Sequence, residues 1–355
     1  MRVLSSLFVV VLVTGTAAAD PVFEEIDLVS DLPALGVRVD DNLRNPWGLA
    51  AGPNTPWWVA NNGTDSATIY RGDGTPSALL VTVPGSPTGE VFNESDKFPV
   101  CTAKRCSPSM FIFAGEDGVI AAWARDIPSP GPSDQAFVVF TSKHGAVYKG
   151  LTQVHLPHGV WRLYATDFHN GRVDAFDENF NRVRMSEELF DDDHLPCGYA
   201  PFGIRAIGDR VFVTYALQDA DKHDDVKGPG HGFVDEYDLF GHFIRRVASR
   251  GHLNSPWGLA IGPESFGDFD DDLLVGNFGD GHINAYRFVA HKGRFEHDGT
   301  LKDDSGEPIE IDGLWSISTA NGGPSGSPND LYFTAGLNDE ADGLFGLIRR
   351  KHHHR

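Results

Sequence analysis

A chain of 355 residues with 41% hydrophobic and 22% charged side chains has a globular balance, enough for two average domains or one large all-β domain, and it is not a disordered chain. Its formal net charge of -21 at pH 7 argues against nucleic acid or anionic membrane as a partner, because both are bound through basic surfaces. A cationic partner is compatible with it.

The first twenty residues, MRVLSSLFVVVLVTGTAAAD, join Arg2 to an apolar core from Leu7 to Val13 and small residues at Ala17 and Ala19. That is the pattern of a secretory signal peptide over residues 1–19, cleaved after Ala19. No other apolar run approaches the roughly eighteen residues that cross a bilayer. The expectation is a secreted, monomeric protein, extracellular or periplasmic, that acts on a small-molecule or extracellular ligand. One domain is expected over 20–350, followed by a basic tail at 351–355 that carries His352, His353 and His354.

The segment FEEIDLVSD, next in the chain, suits a strand that could pair with the last repeat and close a ring. Asn62-Gly-Thr64 and Asn93-Glu-Ser95 are glycosylation sequons, of consequence only in a eukaryotic secretory host. Cys101 and Cys106 are spaced for a small disulfide loop in an oxidising compartment, which leaves Cys197 as an expected buried free thiol.

Internal repeats decide the architecture. NPWGLAAG at 45–52 recurs as SPWGLAIG at 255–262, with looser copies APFGIRAIG at 200–208 and DGLWSIST at 312–319. Six hairpins follow in order: 57–70, 111–123, 163–176, 211–238, 273–286 and 331–347. Their recurrence, at roughly forty to fifty-five residues, is that of a four-stranded blade. Helical periodicity is nearly absent, and 40 Gly with 22 Pro suit short strands joined by tight turns. The fold class read from the chain is all-β, a six-bladed β-propeller around a central channel. Trp47, Phe202, Trp257 and Trp315 recur at blade starts, which points to packing between blades rather than carbohydrate stacking.

NPWGLA, YATDFHNGRVDAF, QDADKHDD, SPWGLAIGP, GNFGDGHINA and FTAGLNDEADGLFG resemble a family of secreted, largely uncharacterised NHL-like propeller proteins. That resemblance implies the fold and no particular reaction.

Two features point to a site. GRVDAFD at 171–177 lines up with GFVDEYD at 232–238, and LYATD at 163–167 with VFVTY at 211–215. Residues 168–170 between the anchors in one blade thus correspond to 216–231 in the next. The acid-rich insertion holds Asp219, Asp221 and His223 at the first, third and fifth places of an EF-hand count. Asp224 at the sixth and Gly230 at the twelfth break that motif. Carboxylates at this density need a cation, a basic neighbour or full solvation, and a cation is the favoured reading.

The same alignment places Asn61, Glu116, Asp167, Tyr215, Asn277 and Ala335 at the end of each blade's second strand. Asn61, Glu116, Asp167 and Asn277 suit a divalent cation, calcium ahead of zinc, with His169 or His223 to carry a proton. In residue types this set resembles the cation site of gluconolactonase-like propellers. YATDFH with His169 resembles the YVTD-His ligand motif of peptidyl-hydroxyglycine lyase propellers. Taken singly, each Asn or Asp is more simply a turn residue.

Two function classes follow: a metal-dependent hydrolase or lyase, and a non-catalytic extracellular binding or scaffold propeller for a protein, glycan or envelope ligand. His155-Leu-Pro-His158 and His194-Leu-Pro-Cys197 are incomplete as zinc motifs and read as turns between blades. No G-x-S-x-G, Walker A or H-E-x-x-H motif is present.

Overall fold

A computed structural model of the protein describes residues 21–35 and 37–351. The expected signal peptide over 1–19 and His352 to His354 lie outside the described residues. Five four-stranded antiparallel sheets and one five-stranded sheet form six blades; in blades 1 to 5 the strands run outward from the axis in chain order, and Arg38–Val39 adds a short parallel fifth strand to blade 6. Blade 1 is Pro46–Ala50, Trp57–Asn61, Ser66–Tyr70 and Val81–Thr82; blade 2 is Pro87–Phe92, Phe111–Gly115, Val119–Trp123 and Phe137–Thr141. Blade 3 is Tyr148–Leu156, Val160–Asp167, Arg172–Phe176 and Arg182–Val183; blade 4 is Tyr199–Ile207, Arg210–Leu217, Phe233–Asp238 and Phe243–Ser249. Blade 5 is Pro256–Ile261, Leu273–Asn277, Ile283–Val289 and Arg294–Thr300. Blade 6 takes Leu314–Thr319, Leu331–Ala335 and Leu344–Arg350 from the end of the chain, and Phe23–Ser30 from its beginning.

That last pairing is the closure expected from FEEIDLVSD. Phe23 faces Arg350 and Ser30 faces Leu344 in an antiparallel register, so the ring is fastened by backbone hydrogen bonds and the last blade has no bare third-strand edge. A small hairpin, Pro99–Cys101 against Cys106–Pro108, interrupts blade 2 and carries the Cys101–Cys106 disulfide. No helix among the described residues is long and apolar enough to cross a membrane.

The first strands of the blades neighbour one another around the axis. Each passes its neighbour closely at one residue: Gly48, Gly89, Gly150, Gly203, Gly258 and Ser316. A Cβ on Gly258 would stand 2.6 Å from the Trp315 carbonyl oxygen, and one on Gly150 would stand 2.8 Å from that of Phe202. Both are too close for any larger residue unless the backbone moves.

Aligned on that residue, the first strands obey a rule. The preceding position is Trp47, Phe202, Trp257 or Trp315 in four blades, and these rings meet on the axis with Phe168 and Phe278. Trp47 stacks on Trp315 at 3.3 Å between centroids and 18° between planes, and Phe278 stacks on the other side of Trp315 at 3.8 Å. The aromatic repeat packs across the ring and plugs the channel rather than only joining neighbouring blades. The following position is Leu49, Leu151, Ile204, Leu259 or Ile317, each in an apolar core between blades.

Three charged residues break this rule. Lys149 takes the aromatic position in blade 3 and Glu90 the apolar position in blade 2. Arg205 stands one residue further along blade 4, where the other blades have Ala50, Val91, Thr152, Ala260 and Ser318.

Two local expectations are corrected. Cys197 is exposed, in a turn entering blade 4, because Pro196 and Gly198 hold the chain at the surface there. His155 to His158 forms the turn between the first two strands of blade 3, not a connection between blades.

Candidate functional site

Lys149 lies above the aromatic plug, at the face where the first strands begin. Its side chain is 1% exposed, and its ammonium is 5.0 Å from the Trp47 ring centroid and 6.0 Å from that of Phe168. Such a charge is costly to bury unless it is paired. Two carboxylates pair it: Glu116, from the turn after the second strand of blade 2, in direct contact, and Asp224, from the long loop of blade 4, at 3.2 Å. Burial works against the ammonium charge, but Glu116 and Asp224 outweigh it and raise the lysine above its ordinary range. The reciprocal holds for Asp224, where burial is overcome by Lys149 and His223 and the carboxyl is lowered.

Other groups hold this arrangement. Asn62 donates to Glu116 Oε2 at 2.7 Å, and Asn45 donates to Glu340 Oε2 at 2.7 Å. Trp315 Nε1 donates to Asn45 Oδ1 at 2.9 Å, which ties the polar layer to the plug below it. Glu340 reaches this layer through three consecutive left-handed residues, Asn338, Asp339 and Glu340, with φ of 54°, 52° and 67°. Side chains rarely adopt that conformation, and a run of it marks a backbone held by its surroundings. Burial raises the Glu340 carboxyl, with the Asn45 hydrogen bond opposing.

The acidic insertion is not a free solvated loop. Asp219 N–H donates to the Asp224 carbonyl at 2.8 Å, Val226 N–H to that of Leu217 at 2.8 Å, and Gly228 N–H to Asn254 Oδ1 at 2.7 Å. Gln218 Nε2 donates to the Phe168 carbonyl at 2.5 Å, and the Lys227 ammonium sits 4.1 Å from the Phe278 ring centroid. These contacts lay the loop over the axis.

The residues singled out in the sequence separate into two groups. Glu116 and His223 come together with Asp224: one ligand atom from each lies within 4.8 Å of the others, the one such cluster of His, Cys, Asp or Glu among the described residues. His223 Nδ1 is 2.9 Å from Asp224 Oδ1. Asn61, Asp167 and Asn277 are buried in their own hairpins. Asn61 donates to Ser66 and Thr68, and Asn277 donates to the His252 carbonyl and Asp280. Asp167 accepts from Asn170 and pairs with Arg172 at 3.0 Å.

Asn61 Oδ1 and Asn277 Oδ1 are buried and take no hydrogen bond from the described residues. Asp219 accepts the His223 N–H at 2.9 Å as a turn residue, while Asp221 is exposed. His169 follows Phe168 of the plug, and its carbonyl receives a long hydrogen bond from Gln218.

Lys149, Asp224 and Glu340 were not singled out as site residues. For Lys149 the signal was present: YKGL at 148–151 replaces the aromatic of PWGL. Glu340 had no comparable signal, since only the left-handed turn brings it inward.

Similar proteins support the fold without supplying a reaction. No known family profile matches the chain. It is 32% identical over 333 residues to "Uncharacterized protein R648" of Acanthamoeba polyphaga mimivirus, an alignment that covers 90% of this chain and 78% of that protein. It is also 32% identical over 334 residues to "Uncharacterized protein L690" of the same virus, covering 90% and 84%. A protein of unknown function from Bacteroides thetaiotaomicron superposes with a TM-score of 0.53 at 10% identity, over 86% of this chain and 70% of that one.

Proposed function

We propose that this chain, which belongs to the same family as the mimivirus proteins R648 and L690, is an exported propeller that binds a divalent cation at Glu116, His223 and Asp224 and acts as a hydrolase or lyase on a small polar substrate. The observation that carries the reading is the convergence of those three groups from two blades above a closed aromatic plug. Two carboxylates and an imidazole fit a divalent ion. The nitrogen in the set favours zinc or manganese over calcium, whose sites are built from oxygen. Export is supported by residues 1–19 and by the Cys101–Cys106 bridge.

Such an ion would supply Lewis acidity toward a carbonyl or a bound water. The chain itself would contribute Lys149, whose ammonium can hydrogen-bond to an oxygen that gains negative charge beside Glu116 and Asp224. In this reading His169, with no hydrogen bond to its ring among those of the described residues, would move the proton. The plug beneath keeps water from entering along the channel.

The test is calorimetric titration of the full chain with zinc, manganese and calcium, repeated on Glu116→Gln and His223→Ala. Wild type is expected to bind one ion beyond those held by the terminal histidines, and each variant is expected to lose that one. Identical stoichiometry in all three proteins rules out the site. A second reading, a non-catalytic binding face, is favoured by a specific contact: Lys149 already neutralises Glu116 and Asp224 without an ion. It predicts no metal dependence and retention of the face's ligand in the presence of chelator.

A further inference from the structure

Beneath the aromatic plug the channel widens into a cavity of about 490 Å³ that no part of the proposed function uses. Its rim at the far face includes the exposed residues Pro53, Glu94 and Asn321. Two of its lining residues are the other breaks in the first-strand rule, Glu90 and Arg205. Glu90 is 7% exposed, and neither carboxyl oxygen has a hydrogen-bond partner among the described residues. Arg205 donates to the carbonyls of Leu259 and Ile317 at 3.0 Å each and to Ser318 Oγ at 2.9 Å. Among the described residues no carboxylate pairs with it, although it keeps part of its surface open to the cavity it lines.

A guanidinium stays charged in any protein environment, and one without a counter-ion inside a protein is costly. Its three partners are neutral oxygens that spread the charge and do not cancel it. Burial raises the Glu90 carboxyl well above the ordinary carboxylate range, which favours its protonated, donating form and disfavours it as the missing anion. Inside the Glu94 rim, the cavity therefore holds a guanidinium without a counter-ion, a carboxyl favoured as a hydrogen-bond donor, and hydroxyls from Thr152, Ser316 and Ser318.

We propose that this cavity binds a small organic carboxylate, whose anion pairs with Arg205 and accepts a hydrogen bond from Glu90. A carboxylate matches the planar fork of the guanidinium, and the volume suits a molecule of metabolite size. The site lies on the opposite side of the plug from Lys149, so the two sites load independently.

The experiment is thermal melting and calorimetry of the full chain with sodium acetate, malate and citrate at constant ionic strength, with chloride and methylammonium as controls. At least one carboxylate is expected to raise the melting temperature while the controls do not. Arg205→Met is expected to weaken its binding by about tenfold or more. Glu90→Gln, which can still donate, retains it, and Glu90→Leu weakens it. His223→Ala leaves carboxylate binding unchanged, which keeps this result separate from the fate of the metal site.

No carboxylate binding by wild type at about 10 mM overturns the proposal, as does stabilisation by methylammonium instead. Wild-type affinity in Arg205→Met also overturns it. Should Arg205→Met fail to fold, nuclear Overhauser contacts from the carboxylate to wild-type protein decide: contacts to Ile204 and Leu259 support the cavity, and contacts only elsewhere overturn it.

Discussion

The two ends of the channel treat buried charge in opposite ways. At the mouth, Lys149 is held by Glu116 and Asp224, and the polar layer around them is tied together through Asn45 and Asn62. In the bore, among the described residues, Glu90 has no hydrogen bond to its carboxyl and Arg205 has no counter-ion. A paired buried charge is costly to disturb, whereas an unpaired one costs stability as it stands and can be relieved by a ligand. Substitution should therefore destabilise the first region and stabilise the second.

The largest effect is expected at the mouth. Lys149→Met leaves Glu116 and Asp224 facing each other over an apolar plug, and removal of one partner from a buried pair costs about 3–5 kcal/mol. Urea unfolding measures it. A loss below about 1 kcal/mol would mean that the pair is solvated in solution.

In the bore the sign reverses and depends on pH. Glu90 holds its proton in the folded state to a higher pH than in the unfolded chain. Wild type therefore loses stability as pH rises above the ordinary glutamate range of about 4.3, by up to about 1.4 kcal/mol per pH unit, until Glu90 itself ionises in the folded protein. Glu90→Gln avoids this penalty. The two proteins should be nearly matched near pH 4 and should diverge in favour of the variant toward pH 8 in thermal melts. A gap that does not change with pH would show that Glu90 finds a partner or water in solution.

The smallest effect belongs to the loop. Asp224→Asn removes a carboxylate whose side chain is 66% exposed, so its effect on global stability should be well under about 1 kcal/mol. The loop should nonetheless be cut faster by protease between Asp219 and Val226, because its tie to Lys149 is weakened. Unchanged cleavage would assign the loop's order to its backbone contacts and to Lys227.

Much of this organisation is legible in the chain. Six hairpins, the repeated PWG and the FEEIDLVSD segment lead to the ring and its closure, because hydrophobic alternation and tight turns are local properties. The acidic insertion is visible as a length mismatch between two blades. The site is only partly legible, because aligning the hairpins compares second and third strands, whereas the three informative charges lie on first strands. Aligned there, Lys149, Glu90 and Arg205 stand out against aromatic and aliphatic partners. What no alignment supplies is the partner of each charge: Glu116 and Asp224 are 33 and 75 residues from Lys149, and only the packing of blades 2, 3 and 4 side by side brings them to it. The turn chemistry of Asn61, Asp167 and Asn277 looks the same in sequence whether their side chains serve the hairpin or the axis.

The most direct test of the account is an anomalous-scattering map from crystals of the full chain grown with zinc. The account predicts a peak about 2.0–2.2 Å from ligand atoms of Glu116, His223 and Asp224, with the Lys149 ammonium moved off at least one carboxylate. A map with zinc only at the terminal histidines and Lys149 still between Glu116 and Asp224 would contradict it, and would leave the mouth as a salt-bridged binding face.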